Sequence, residues 1–287
     1  MSGRLVELEL DCPLAKILRS PPTSGIRIYW LGQAGFIIEA LGKRIIIDPY
    51  LSDSLAEKYR GTERPHTRLM PPPVTVDETG VIDLVLCTHA HTDHMDPDTL
   101  KPLLQQNPRT NLIVPRAARS QAVDRSGVAE DRMILLSGGE IFSFRQGITV
   151  TATRAAHETL ETDPEGNNRF LGYVFDFDGV KIWHSGDCVP FPGLENEIYA
   201  LHPDVALLPV NGRRTDLSQN GVPGNFSLKE AISLARSIGC PHMVAHHYGL
   251  FAFNTERPEV IDAAAQSTKS PVIHRARQGI AFTWTRI

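Results

Sequence analysis

The stretch Thr88-His-Ala-His-Thr-Asp-His-Met-Asp96 places three imidazoles and two carboxylates within nine residues. It follows the apolar run VIDLVLC (residues 81–87), which is typical of a buried strand. Asp96 and Pro97 are the N-cap and first-turn residues of a predicted helix. The cluster is therefore predicted to lie in a strand-to-helix loop, where so many buried polar groups are costly unless they bind something.

The residue types in this cluster indicate a metal site. Neutral imidazoles and carboxylates are ligands for borderline or hard divalent ions, and the cluster contains no cysteine that would indicate a thiolate site. His89 and His91 are two residues apart, so in an extended segment both project to one side and bind one ion. Asp93 and His94, beyond a turn, are predicted to face a second ion.

Similar residues stand at the ends of other predicted strands. His157, Asp187 and the pair His246-His247 each occupy such a position. In α/β folds strand-end loops converge in space, so residues that are distant in sequence form one site. These residues are therefore predicted to join the cluster.

Two divalent ions in one site need anions between them. At about 3.5 Å they repel by roughly 19 kcal/mol with an effective dielectric constant of about 20. Asp187 is predicted to be one bridging anion and a hydroxide the other. Because metal binding lowers the pKa of water from about 15.7 to near 7, that hydroxide is the predicted nucleophile. Asp93 and Asp187 are the predicted catalytic carboxylates.

The order of these residues resembles a known family. His-x-His-x-Asp-His, His157, the Asp187 of HSGD and a late histidine resemble the metal motifs of the metallo-β-lactamase superfamily, from about residue 27 onward. Within it, THAHTDHMD, NRFLGYVFDFDGVKIWHSGD, HPDVALLPVNGR and MVAHHYGLF are similar to blocks of the L-ascorbate-6-phosphate lactonase group. The resemblance implies an α/β four-layer αββα sandwich (metallo-β-lactamase fold), two divalent metal ions (Mn or Zn, manganese favoured) and hydrolysis of a sugar lactone.

The resemblance also implies two ligand sets joined by one carboxylate: His89, His91 and His157 for one ion, Asp93, His94 and His247 for the other, and Asp187 as the bridge. Strand alternation alone does not choose between His246 and His247, and the family block V-A-H-H-Y-G implies His247. Asp48, at the end of the strand IIID, matches a superfamily carboxylate that orients ligands without binding metal.

Four residues are candidates for substrate binding: Arg169, Asn211, Arg213 and Tyr248. Arg169 matches a family arginine and is predicted to bind an anionic group of a small-molecule substrate, with a salt-bridged strand-edge arginine as the alternative interpretation. Tyr248 stands where the lactonase carries a His-Asp pair, and Asn211–Arg214 match that group's loop loosely. The predicted substrate is therefore an anionic sugar lactone or related ester, without a commitment to ascorbate-6-phosphate.

The chain is predicted to be one domain over residues 1–287, with an N-terminal extension at 1–26 and a long covering loop at 51–80 that is compatible with a homo-oligomer. Its 41% apolar and 22% charged residues are typical of a soluble globular protein. A formal net charge of −4 argues against nucleic acid and membrane partners. Scattered cysteines, no signal peptide and no apolar run of membrane-spanning length predict a cytoplasmic protein with reduced thiols.

Other functions remain open beside a metal-dependent, lactonase-like hydrolase. A phosphodiesterase acting on nucleic acid or phospholipid would use the same pair of ions, although no basic, aromatic-rich insertion or amphipathic membrane helix supports it. A redox di-iron or non-catalytic binding module is the third interpretation. The redox branch typically carries glutamate at the position of His91, and a degenerate binder should lack ligands that this chain retains.

Overall fold

Short runs of apolar and β-branched residues form most of the strands, as the sequence predicts. The computed structural model describes residues 3–286. The chain divides into two compact units, each built on one β-sheet. The first unit comprises residues 3–135, 250–253 and 277–286, and the second comprises residues 136–249 and 254–276. A single domain over residues 1–287 stays a prediction.

The first unit contains an eight-stranded sheet in which the first and last strands of the chain are neighbours. The strands, numbered in chain order, follow across the sheet as β1 (Gly3–Glu9), β15 (Ile280–Arg286), β2 (Arg27–Gly32), β3 (Gly35–Ala40), β4 (Lys43–Ile47), β5 (Leu84–Leu86), β6 (Asn111–Pro115) and β7 (Met133–Leu136). β4, β5 and β6 run parallel, so their carboxyl ends lie at one edge. The helices of this unit are α1 (Leu14–Leu18), α2 (Ser54–Lys58), α3 (Pro97–Gln106) and α4 (Arg119–Ser126).

The second unit contains a seven-stranded sheet. Its order is β14 (Val272–Arg275), β13 (His242–His246), β12 (Val205–Pro209), β11 (Val180–His184), β10 (Leu171–Phe177), β9 (Ile148–Arg154) and β8 (Ile141–Arg145). β11 to β14 run parallel, and β9 has the same direction because β10 is antiparallel to both β9 and β11. The helices are α5 (Leu194–Leu201), α6 (Thr215–Ser218), α7 (Leu228–Ser237) and α8 (Pro258–Ser267).

Helix boundaries follow the capping residues in the sequence. Asp96 caps α3 by accepting a hydrogen bond from the Asp98 amide, and Pro97 occupies the first turn. Ser227 and Glu230 form the predicted capping box of α7, and Gly239, with a left-handed φ of 67°, follows its end. Both predicted helix starts are confirmed.

Two segments have more structure than their sequences indicate. The segment at 51–80, predicted to be irregular, contains α2 and a 3₁₀ turn at Val76–Glu78. Helices this short show no apolar period that would reveal them. The N-terminal segment supplies β1, paired with β15 along its full length, and α1. None of the helices within residues 3–286 is long and apolar enough to cross a membrane.

Candidate metal centre

The metal-type residues of the first unit lie at the carboxyl edge of its parallel strands. Ile47 stands opposite Leu86 in the ladder of β4 and β5, which brings Asp48 beside Thr88. The Asp48 carboxylate accepts hydrogen bonds of 2.7 Å from both the amide and the hydroxyl of Thr88. Asp48 is fully buried and has a left-handed φ of 46°. Such a conformation costs about 1–3 kcal/mol and persists where the surroundings fix it.

Asp48 and Thr88 determine which nitrogen of two histidines carries a proton. His94 Nδ1 lies 2.7 Å from Asp48 Oδ2, and because a carboxylate only accepts, this nitrogen is the donor. His89 Nδ1 lies 3.0 Å from Thr88 Oγ1. Thr88 already donates its hydroxyl proton to Asp48, so His89 Nδ1 donates to it in turn. In each neutral ring Nε2 then carries the lone pair that a metal ligand needs.

The remaining residues of this set lie close to the same two rings. The ring centroid of His89 lies 4.0 Å from that of His94 and 4.6 Å from that of His91. His94 Nε2 is 3.8 Å from Asp93 Oδ2. His91 and Asp93 are partly exposed, whereas His89 and His94 are buried.

Gln33 orients Asp93, a role that the sequence analysis missed. The side-chain amide of Gln33 donates a 2.9 Å hydrogen bond to Asp93 Oδ2, and the backbone carbonyl of Gln33 accepts a 3.0 Å hydrogen bond from the Trp30 indole. Gln33 is buried and has a φ of 49°. The sequence Gly-Gln-Ala-Gly between two strands predicts only a turn, so it held no signal for this contact.

The second unit gathers its own set at the edge where β9, β11 and β13 end. His157, Asp187 and His247 follow these strands and are all buried. Asp187 Oδ2 lies 3.6 Å from His157 Nε2 and 3.3 Å from His247 Nε2. One carboxylate oxygen of Asp187 therefore faces both histidines.

The ring of His157 is held by a loop carbonyl. His157 Nδ1 donates a 3.1 Å hydrogen bond to the Gly224 carbonyl, which again leaves the Nε2 lone pair on the side of Asp187. The neighbouring Glu158 accepts a 3.3 Å bond from the Gly224 amide. The N–H and C=O groups of Gly224 therefore both anchor the segment that carries His157, and sequence patterns gave no indication of this support.

The two late histidines face different surroundings. β13 ends at His246, and His247 has a left-handed φ of 59°, so the chain turns between them. His247 faces Asp187, whereas the fully buried His246 ring lies 5.1 Å from that of His184. Burial, together with the charges of His184 and His247, lowers the pKa of His246 well below its usual range. His246 is therefore neutral.

Each set fits a divalent ion in donor type and spacing. Ligand atoms about 2.1 Å from a tetrahedral ion lie about 3.4 Å apart. The nitrogen-to-oxygen separations of 3.8, 3.6 and 3.3 Å are close to this value. Cys188 adjoins Asp187, but burial raises the pKa of its thiol to about 12 and keeps it protonated. The donors are thus imidazole nitrogen and carboxylate oxygen, which are ligands for divalent metal ions.

Two of the predicted substrate residues are held by protein groups. Arg213 donates to the Asn225 carbonyl at 3.0 Å and pairs with Glu230. Tyr248 is buried, and its hydroxyl donates to the Ala276 carbonyl and accepts from a neighbouring arginine. Binding of substrate by Arg213 and Tyr248 stays a prediction.

The other two substrate candidates are less enclosed. Asn211 is partly buried and lies in a row of amides, donating to Asn254 at 2.8 Å and accepting from Asn225 at 3.0 Å. Arg169 is exposed, and its Nε donates a 3.3 Å hydrogen bond to the Thr162 carbonyl. Their contact with substrate also stays a prediction.

Comparison with known proteins identifies related sequences and folds. The model of the beta-lactamase superfamily domain matches residues 43–248. A UPF0173 metal-dependent hydrolase of Rubrobacter xylanophilus is 32% identical, covering 84% of this chain and 89% of that protein. One of Methanoregula boonei is 31% identical, covering 78% and 82%. The isothiocyanate hydrolase from Delia radicum gut bacteria has a TM-score of 0.71 at 20% identity, covering 89% of this chain and 97% of that one.

Proposed function

The chain belongs to the β-lactamase superfamily and to the UPF0173 metal-dependent hydrolase family, and from this premise we propose that it opens a lactone or related ester of an anionic sugar derivative. The predicted metallo-β-lactamase fold is confirmed by the same matches. The family makes the chain a metal-dependent hydrolase. The ester or lactone substrate is our proposal.

One observation carries the proposed chemistry. His89, His94 and His157 each have Nδ1 engaged as a donor, so each neutral ring offers Nε2. We propose that the chain holds two divalent ions, Mn or Zn, through the ligands that the family resemblance implies. Such ions, when bound, polarise a carbonyl oxygen and acidify coordinated water.

The protein's own groups prepare this site. Asp48 keeps the proton of His94 on Nδ1 and so stabilises the neutral ligand form. Gln33 holds Asp93 by its Oδ2 atom, which fixes the direction of that carboxylate. Asp187 would supply negative charge that two neighbouring cations require, and its Oδ2 atom lies 3.6 Å from His157 Nε2 and 3.3 Å from His247 Nε2.

Arg169 supports an anionic substrate. Its side chain is exposed, and its Nε–H donates to the Thr162 carbonyl. A guanidinium presents five N–H donors in a planar fork that matches carboxylate and phosphate groups. We therefore propose that Arg169 orients the acidic group of the substrate.

The test removes the ions and then compares substrates. Chelated protein should lose hydrolysis of an anionic lactone and regain it with added Mn or Zn, and the anionic lactone should react faster than its neutral analogue. Asp187→Asn should keep the fold and lose turnover. Asp178→Asn, in an exposed hairpin turn, should keep both the fold and the turnover of the wild type. Full activity in metal-free protein would refute the mechanism.

The same assay separates the alternative function. A chromogenic phosphodiester should be a poor substrate beside the lactone panel. Faster hydrolysis of the phosphodiester, with equal rates for anionic and neutral lactones, would replace our proposal with phosphodiester hydrolysis. Arg169→Ala should raise KM for the anionic lactone alone, and an unchanged KM would remove its role.

A further inference from the structure

His66, in the segment at 51–80, is enclosed by three aromatic rings of the first unit. Its imidazole stacks on Tyr59 with ring centroids 4.3 Å apart, and it meets Phe251 and Phe253 edge-on at 5.0 and 4.8 Å. Its backbone has a left-handed φ of 52°, which is uncommon outside glycine. A ring held on three sides has a fixed orientation, as a functional group requires.

The hydrogen bonding of His66 leaves one ring nitrogen for another molecule. Nδ1 lies 2.7 Å from the Arg64 carbonyl, which only accepts, so Nδ1 is the donor. Within residues 3–286 no hydrogen bond engages Nε2, and the residue is partly exposed. Nε2 is therefore fixed in direction and able to accept or return a proton.

The segment that carries His66 is attached to the loop at residues 88–96, which presents the candidate ligands of the first unit. The hydroxyls of Ser52 and Ser54 donate to the two oxygens of Asp96, at 2.7 and 2.8 Å. Asp96 is the last residue of the stretch that begins at Thr88. These bonds tie the beginning of the 51–80 segment to the loop that presents Asp93.

The charged groups around His66 include a residue of the ligand set. Burial lowers the pKa of His66, and the positive charges of Lys58 and Arg64 act in the same direction. The hydrogen bond to the Arg64 carbonyl and the negative charge of Asp93 oppose this shift. In geometry, Phe251, which the His66 ring meets edge-on, has its ring centroid 6.4 Å from that of Tyr50, two residues after Asp48.

We propose that His66 is a catalytic residue of the hydrolysis proposed above, carrying a proton through Nε2 from the attacking water to the leaving group. The histidines and aspartates of the ligand sets are engaged by metal in that proposal and do not carry protons. His66 belongs to neither set, and an imidazole can both accept and return a proton. This role depends on the proposed function.

The proton balance of the step is complete. The water oxygen bonds to the carbonyl carbon and gives one proton to the neutral Nε2 atom of His66. The bond from the carbonyl carbon to the leaving oxygen then breaks, and Nε2–H returns the proton to that oxygen. The products are the acid and the alcohol, or the opened hydroxy acid from a lactone, and His66 is neutral again.

Two variants separate this role from packing. His66→Asn retains a donor for the Arg64 carbonyl and tolerates the left-handed backbone, but it has no Nε2. His66→Phe retains the stacked ring without either nitrogen. The matched control is His202→Asn, because His202 also has a positive φ, of 51°, and lies 5.3 Å from a tyrosine ring, that of Tyr199.

The readout is kcat for two esters of one acid, with p-nitrophenol or an alkyl alcohol as the leaving group. Both His66 variants should lose kcat on both esters, with a loss at least about 10-fold larger on the alkyl ester, because both esters need the proton taken from water but only the poor leaving group also needs it returned. Metal content should stay unchanged in both variants, and His202→Asn should resemble the wild type. Equal losses on both esters, or none, would overturn the role of His66. A wild type inactive on both esters would overturn the proposed function and this role with it.

Discussion

At the scale of single residues, Asp48 fixes the geometry of the metal-type loop. It accepts hydrogen bonds from the Thr88 amide, the Thr88 hydroxyl and His94 Nδ1, all at 2.7 Å. In the sequence, an aspartate before Pro49 is also compatible with an ordinary turn residue. Its contacts with Thr88 and His94 arise from the register of β4 and β5. The observed contacts are those of a carboxylate that orients a ligand from behind.

We expect Asp48→Asn to weaken metal binding by about 10- to 100-fold with little change in fold. Asparagine tolerates a positive φ, and its one amide oxygen still accepts a hydrogen bond from Thr88. It cannot accept from Thr88 and from His94 Nδ1 as two carboxylate oxygens do. Affinity is measured by competition with a chromogenic chelator, and Tm is measured on the metal-free protein. Asp53→Asn, whose side chain is 70% exposed, is the control. Wild-type affinity in Asp48→Asn would show that Asp48 serves packing alone.

His242 makes stability depend on pH. Its Nδ1 lies 3.2 Å from His274 Nε2, and both residues are buried. Burial, together with the charge of His274, lowers the pKa of His242 to about 4, whereas the unfolded value is about 6.5. The unfolded chain therefore binds the proton more readily than the folded chain. The contribution of neutral His242 to the free energy of unfolding is complete above about pH 6.5 and declines as the pH falls toward 4.

Denaturant unfolding of metal-free protein at pH 7.5 and pH 5 measures this effect. The wild type should be less stable at pH 5, and His242→Gln should show a smaller difference between the two conditions. Metal-free protein is used because loss of ions at low pH would add its own destabilisation. An identical pH difference in the two proteins would contradict the assignment to His242.

At the scale of elements, the loop between α6 and α7 supports His157. Gly224 in this loop accepts from His157 and donates to Glu158. A Cβ atom on Gly224 would lie 2.6 Å from both the Arg213 Cα and the Gly212 carbonyl oxygen. Only glycine fits there without a shift of the backbone.

Gly224→Ala should therefore displace the carbonyl that holds His157 and reduce metal affinity by about 10-fold or more. Gly25→Ala is the control, because its Cβ would meet only the Thr23 hydroxyl at 3.8 Å. Both variants are compared by chelator competition and by Tm. A loss of Tm in Gly224→Ala with unchanged affinity would mean that the loop serves stability rather than His157.

The strands that end before the candidate ligands were predictable from the sequence, whereas the contacts that hold those residues were not. The strand ends before Asp93, Asp187 and His247 show apolar runs that stop at polar residues, a local signal. β1 and β15 pair across nearly the whole chain length, and no local pattern specifies such a contact. The bond from Gln33 to Asp93 joins residues 60 apart, which requires the folded sheet.

At the scale of the whole molecule, each unit contributes one part of the proposed ligand sets. The first unit supplies His89, His91, Asp93 and His94, and the second supplies His157, Asp187 and His247. The resemblance assigns His91 and His157 to one ion, and His247 to the other. This assignment makes a claim about stoichiometry that variants can test.

The double variant His91→Ala/His157→Ala should retain about one ion per chain, the same as either single variant, because all three lose the same ion. By contrast, His91→Ala/His247→Ala should retain none, because each substitution removes a different ion. Metal content is measured by elemental analysis after dialysis, with His91→Ala/His202→Ala as the control that should keep one ion. The wild type should hold about two.

Independent binding by the two units predicts a different pattern. If the first and second sets each held their own ion, His91→Ala/His157→Ala and His91→Ala/His247→Ala would both affect one ion in each unit and would lose metal to the same extent. Each double variant removes two candidate ligands. A difference in metal content between them therefore supports the proposed ligand assignment, and equal metal content supports one ion in each set. Only the ligand assignment that the resemblance implies makes the loss depend on whether His157 or His247 is changed.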